Sequence, residues 1–229
     1  IDGEAAYDNS GRSVSLSADG SVVSIGALYN DGNGDRSGHV RIFQNNNGSW
    51  QQIGQDIDGE AIYDYSGVAI SLSADGSTIS IGTGYNDGNG NSSGHVRIYQ
   101  NNNGSWQQIG GDIDGESTSD ISGKSISLSA DGSTIAIGAS GNDDNGIASG
   151  HVRILQNDNG TWVQIGDDID GEAANDYSGT SVSLSADGST IAIGADYNDG
   201  NGNSSGHVRI YQNNNSTWTQ VGQDLDGEA

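Results

Sequence analysis

The sequence predicts an all-β fold, a β-propeller of four-stranded antiparallel blades, and three observations predict it. The motif IDGEA begins at Ile1, Ile57, Ile113 and Ile169, and LDGEA follows at Leu225, each 56 residues on. Self-similarity at a fixed period of about 50 residues marks a repeat architecture. Within each repeat, short runs alternate apolar and small polar residues with period two, separated by Gly-, Asn- and Asp-rich turns. That is the pattern of half-buried strands, and no stretch carries helical periodicity. Serine and glycine recur on the first two strands of every repeat, as inner strands need where blades crowd around an axis. A stacked solenoid is the rival all-β architecture, but its coils are usually about 20–30 residues.

The second repeat shows each element in order. Val68–Ala74 reads as the first strand, with Ile70 and Leu72 on one side. Ala74-Asp75-Gly76-Ser77 is a tight turn, with Gly76 suited to positive φ. Thr78–Gly82 is the second strand, with Ile79 and Ile81 on one face. A long polar loop, Tyr85 to Gly94, leads to the third strand, His95–Gln100. Asn101-Asn102-Asn103-Gly104 is a hairpin turn in which Asn-Gly tolerates positive φ at both central positions. Trp106–Ile109 is the fourth strand. The blades are therefore 1–56, 57–112, 113–168 and 169–224, and 225–229 begins a fifth repeat. Repeats two and four differ at only about a quarter of their positions, as recent duplication or a consensus design would leave them. The blades could close as a four-bladed ring, form part of a longer array, or make half of an eight-bladed assembly of two chains.

Composition restricts the partners. The chain has 229 residues, 31 Asp and Glu against 7 Lys and Arg, and a net charge of −24. Nucleic acid is excluded as a partner, because phosphate backbones are bound by Lys and Arg that release counterions. No run of about 18 apolar residues could span a bilayer. There is no cysteine, and so neither a disulfide framework nor a thiolate zinc site. The start at Ile1, without Met or an apolar leader, is expected for a mature chain or an excised fragment.

The order Ser66-Gly67, Ile70-Ser71-Leu72, Ile79-Ser80-Ile81-Gly82 and Gly94-His95-Val96-Arg97-Ile98-Tyr99 resembles the FG-GAP repeat, the blade of integrin α-subunit propellers and of bacterial and algal surface proteins. In the fourth repeat, Ile193-Gly194-Ala195 is nearest to the family's Gly-Ala-Pro. The resemblance covers the whole chain four times over. It implies a propeller with a non-enzymatic role in adhesion or surface structure, outside the cell or on its surface. Serine replaces the family's Phe at Ser10, Ser66, Ser122 and Ser178, and the Pro is absent. The family's calcium loop lies between the first two strands. Here that hairpin holds one carboxylate (Asp19, Asp75, Asp131 or Asp187), so the family's calcium site does not carry over.

In a four-stranded meander the 2–3 and 4–1 loops share one end of the blade. All but five carboxylates, 26 of the 31, lie in or beside those loops, which makes one end of the propeller intensely acidic. The spacing Asp56, Asp58, Glu60, Asp64 recurs at Asp112, Asp114, Glu116, Asp120 and at Asp168, Asp170, Glu172, Asp176. Alternate carboxylates on a turning loop can converge on one Ca²⁺, which takes six to eight oxygens. Otherwise Asp64 and its counterparts cap backbone amides while the rest are solvated. The 2–3 loop, Asp87-Gly88-Asn89-Gly90-Asn91, could likewise hold metal or simply turn tightly.

His39, His95, His151 and His207 each stand two residues before an Arg on the same side of the third strand. No activated Ser or second His accompanies them, so the four Arg are expected to pair with acidic neighbours between blades, and no enzyme is expected. Trp50, Trp106, Trp162 and Trp218 could pack against the next blade or stack on a sugar. Asn47, Asn103, Asn159 and Asn215 fit the glycosylation pattern, which turn geometry also explains. The expected partners are a surface protein or, in a lectin-like alternative, a glycan. Self-association or continuation into further repeats is a third expectation.

Overall fold

A computed structural model describes residues 1–228 as twenty strands in four sheets, with no helix among the described residues. The first sheet holds β1 (Ser13–Leu16), β2 (Val22–Ala27), β3 (His39–Asn46), β4 (Ser49–Gln52) and β5 (Ile57–Asp58). The second repeats it at Ala69–Leu72, Thr78–Thr83, His95–Asn102, Ser105–Gln108 and Ile113–Asp114 (β6 to β10). The third runs through Ser125–Leu128, Thr134–Ala139, His151–Asp158, Thr161–Gln164 and Ile169–Asp170 (β11 to β15). The fourth comprises Ser181–Leu184, Thr190–Ala195, His207–Asn214, Thr217–Gln220 and Leu225–Asp226 (β16 to β20).

Each sheet is a four-stranded antiparallel blade whose outermost strand is broken in two. The far half of β3 pairs with β4, from Phe43↔Gln52 to Asn46↔Ser49. Its near half pairs with β5, His39↔Asp58 and Val40↔Ile57. Ile53 N still donates to the Ile42 carbonyl at 2.9 Å, and residues 54–56 then leave the ladder, with Gly54 at φ 78°. Each sheet thus ends two residues beyond the 56-residue boundary, so Ile57-Asp58, Ile113-Asp114, Ile169-Asp170 and Leu225-Asp226 each complete the preceding blade. The two-residue loop Asn103-Gly104 has φ of 52° and 88°, the left-handed pair a tight hairpin requires.

Three seams join the blades, built from the same residues each time. One face of blade 1 supplies Val40, Ile42 and Ile57. Against it blade 2 sets Leu72, Ile79, Ile81, Tyr99 and Trp106. The next two seams repeat this with Val96, Ile98, Ile113 and with Val152, Ile154, Ile169. Serines of the inner strands stitch across: Leu72, Leu128 and Leu184 each donate a backbone N–H to Ser15, Ser71 and Ser127 Oγ at 2.9–3.0 Å. The indole N–H of Trp106 donates to the Ile53 carbonyl at 2.9 Å, and Trp162 and Trp218 repeat the bond. A side chain at Gly26, Gly82 or Gly138 would collide with the carbonyl of Gly67, Gly123 or Gly179 in the next blade. That close approach explains the glycine of each Ile-Gly-Ala element.

Among the described residues, no hydrogen bond or ion pair links blade 4 to blade 1. The corresponding faces stand open: Val14 and Leu16 are 64% and 57% exposed, and Leu225 is 58% exposed where Ile57 is 5%.

Candidate metal centres at the blade seams

The 2–3 and 4–1 loops do lie together at one end, and they interlock. Gly38 and Ser66 form a parallel bridge, as do Gly94 with Ser122 and Gly150 with Ser178. Asn33 Nδ2 donates to the Gly59 carbonyl at 2.8 Å, tying the 2–3 loop of one blade to the crossing into the next. Such loops are dense in backbone amides, and buried amides need acceptors.

Asp64 supplies one. It is 3% exposed and accepts from Ala61 N at 2.8 Å, Glu60 N at 3.2 Å and Asn86 Nδ2 at 3.3 Å. Asp120 accepts from Ser117 N and Asp176 from Ala173 N in the same way. Asp58, Asp114 and Asp170 are the last residues of β5, β10 and β15, and their carbonyls accept from Arg97, Arg153 and Arg209 Nη2 at 2.6–2.7 Å. Asp170's carboxyl is held above its usual pKa, first by burial. Asp56, Asp112 and Asp168 each accept from a glutamine side chain at 2.6–2.7 Å. The four acidic positions of one loop are thus sent in different directions. Asp64 caps its turn, and Glu60 and Asp56 go to different clusters.

The carboxylates that gather come from successive loops, around a histidine. Glu60, His95 and Asp112 place ligand atoms within 4.8 Å of one another, as do Glu4, His39, Asp56 and Glu172, His207, Asp224. The third blade adds a fourth member, giving Glu116, Asp144, His151 and Asp168. The arginine two residues along the strand orients each glutamate. Arg97 Nη1 lies 3.7 Å from Glu60 Oε1, which leaves Oε2 facing His95 Nδ1 at 3.9 Å. Arg97 is itself 5% exposed, with its guanidinium 5.7 Å from the Tyr99 ring centre. The four arginines therefore pair with acidic residues at the blade crossings.

His95 and His151 are 1% and 0% exposed. Burial, reinforced by Arg97, holds the His95 pKa below its ordinary value, so the imidazole is neutral near pH 7 and free to bind a metal. His151 Nδ1 has no hydrogen-bond partner. It faces Asp168 Oδ2 at 3.8 Å and Glu116 Oε2 and Asp144 Oδ2 at 4.0 Å each. Ligands about 2.1 Å from a dication stand roughly 3.0–3.4 Å apart. The histidine–carboxylate distances would shorten by about 0.4–1.0 Å around an ion.

Sequence reasoning placed acidic ligands here but left the histidines out of the set. Their cluster partners are 35 residues upstream and 17 downstream in the chain, as with Glu60, His95 and Asp112. The signal was the four-fold recurrence of a histidine at the acidic end of the third strand.

Residues 169–211 match the family model described as FG-GAP repeat. No curated protein sequence matches the chain. Solved structures share the fold, among them the following three. A candidate 6-phosphogluconolactonase from Bacteroides uniformis superposes with a TM-score of 0.64 at 16% identity, over 94% of this chain and 55% of that one. Hydrazine synthase from Kuenenia stuttgartiensis gives 0.57 at 14%, over 91% and 53%. The periplasmic gluconolactonase of Pseudomonas aeruginosa gives 0.55 at 18%, over 93% and 56%. The chain spans about half the length of each. At such identities the likeness shows the propeller-type fold alone.

Proposed function

We propose that this FG-GAP-type propeller array is a non-enzymatic module for adhesion or surface structure, placed outside the cell or on its surface, whose acidic end binds divalent cations at the blade crossings. One observation carries the cation reading. A buried imidazole faces two or three carboxylates at the same point of all four blades, beside an arginine that fixes one of them. An ion there would join the crossing strand to the blade it enters and offset part of the −24 charge. The donor set refines the expectation of Ca²⁺. Oxygen-only cages suit Ca²⁺, whereas an imidazole beside carboxylates favours zinc or manganese. The adhesion reading is supported by the FG-GAP match.

Thermal unfolding at constant ionic strength tests the cation reading, with ZnCl₂, MnCl₂, CaCl₂ or EDTA added. Zn²⁺ or Mn²⁺ is expected to raise the Tm more than Ca²⁺, and Glu116→Gln with Asp168→Asn to remove the third blade's share of the gain. A Tm that none of the three ions moves would refute the cation role. Measurable hydrolysis of gluconolactone by the chain would refute the non-enzymatic reading.

A further inference from the structure

The seven Lys and Arg of the chain fall into two groups. Arg41, Arg97, Arg153 and Arg209 are buried at the blade crossings with glutamate partners, and Arg36 lies 4.0 Å from Asp35. Arg12 and Lys124 remain. Among the described residues neither has a carboxylate oxygen within 4.0 Å, although the chain holds 31 carboxylates. Both are exposed, and both line one cavity of about 420 Å³ together with Tyr29, Tyr65, Tyr85 and Leu28.

The cavity lies at the acidic end, beside the innermost strands. Arg12 and Lys124 immediately precede β1 and β11, and Tyr29 and Tyr85 follow closely on β2 and β7. Its wall is an aromatic ladder. Tyr65 stands edge-to-face between Tyr29, with ring centres 5.6 Å apart, and Tyr85, at 5.3 Å. Arg36 lies over the outer ring, 5.3 Å from the centre of Tyr29. Tyr65 has φ of 55°, the left-handed region, which costs an L-residue roughly 1–2 kcal/mol.

A separate observation comes from the repeats themselves. Of the 56 repeat positions, only two carry four different residues in the four copies. One reads Arg12, Val68, Lys124 and Thr180. The other reads Leu28, Gly84, Ser140 and Asp196. Both positions contribute to this cavity. The array diverges most at one place, as a single asymmetric ligand on the propeller end would require.

We propose that this cavity binds an acidic saccharide, a pyranose ring lying against the tyrosine wall with its carboxylate or sulfate paired to Arg12 and Lys124. Exposed tyrosine rings present an apolar face and a hydroxyl, which suits the mixed surface of a sugar. Two cations without carboxylate partners call for an anionic group on it. An acidic peptide would use the same cations, but the tyrosine faces suit a sugar ring better than glutamate or aspartate side chains. The net charge repels an extended polyanion, so the ligand is a short stretch bearing few charges.

Calorimetric titration of the full chain in EDTA tests this, which keeps its outcome separate from that of the cation sites. The probes are trigalacturonate, a sulfated galactan tetrasaccharide, neutral galactotriose and hexaglutamate. At least one acidic saccharide is expected to bind at least tenfold more tightly than the neutral one, and the probe that binds identifies the anionic group. Arg12→Gln with Lys124→Gln should reduce acidic-sugar affinity about tenfold, as two partly exposed charge pairs supply. Tyr85→Ala, which removes an exposed ring, should weaken every saccharide that binds while leaving the circular dichroism unchanged. The proposal is overturned if neither acidic saccharide binds or galactotriose binds equally well. It is likewise overturned if the double variant binds as the parent does, or if hexaglutamate binds more tightly than the sugars.

Discussion

Trp106 and Trp50 occupy the same position of nearly identical repeats, yet their replacement by alanine should have very different effects. Trp106 is 4% exposed, packs into the first seam and donates its indole N–H to Ile53 at 2.9 Å. Trp50 is 37% exposed and faces no preceding blade. Truncating a fully buried Trp costs about 3–5 kcal/mol, including the cavity left behind. An unmet carbonyl at Ile53 belongs within that figure. Trp50→Ala removes only contacts with its own sheet, for which about 1 kcal/mol is the expectation. The two variants should therefore differ by at least about 2 kcal/mol in urea unfolding followed by circular dichroism. Because stability in such arrays sums over neighbouring units, Trp106→Ala should also separate the unfolding of blade 1 from that of the other three. Equal losses, within about 0.5 kcal/mol, would refute the claim that the seams carry the stability.

Three further expectations rest on individual residues. Asp64→Ala strips Glu60 N, Ala61 N and Asn86 of their acceptor. It should cost about 2 kcal/mol and lower the Tm by roughly 4–8 °C, with faster amide exchange at those residues. Ser216 sits at φ 65° where the other hairpins have glycine, so Ser216→Gly should raise stability by about 1 kcal/mol in urea titration. Asp19 and Asp187 are held down to about pKa 2, Asp19 foremost by the Ser21 amide and Asp187 by the Ser185 hydroxyl. Their folded pKa values lie below the unfolded 3.8, so their contribution is complete above pH 4 and fades as pH falls towards 2. Carboxyl NMR titration should place both midpoints near 2, and midpoints near 3.8 would contradict these hairpin bonds.

Much of this was legible in the sequence because it is local. The Asn103-Gly104 turn, the Ile79/Ile81 face and the Ser-Ala-Asp-Gly-Ser hairpin state their geometry within a few residues. What was hidden depends on partners far along the chain. The outer strand's end before Gly110-Gly111 was legible, but nothing there announces that it resumes at Ile113–Asp114 against His95 and Val96. The spacing of Asp56, Asp58, Glu60 and Asp64 suggested one site, yet the turn claims Asp64 and the blade crossing separates the rest. His95 is brought to Glu60 and Asp112 only once three strands are laid side by side. The divergence at Arg12 and Lys124 is plain in the sequence, but it gains meaning only when both residues are found beside the axis.

The seams carry one more consequence. The serine and indole bonds across them join residues about one repeat apart, and each blade offers the same pair of faces. Removing residues 57–112 would set Val40 and Ile42 against Leu128 and Ile135, an equivalent contact. Gain or loss of 56 residues is therefore nearly silent to local chemistry, whereas any other length breaks a ladder. In a lineage built this way, blade count is free to drift by unequal exchange. Only the geometry of a closing ring, or a ligand that must find its two cations on the right blades, can hold the number fixed.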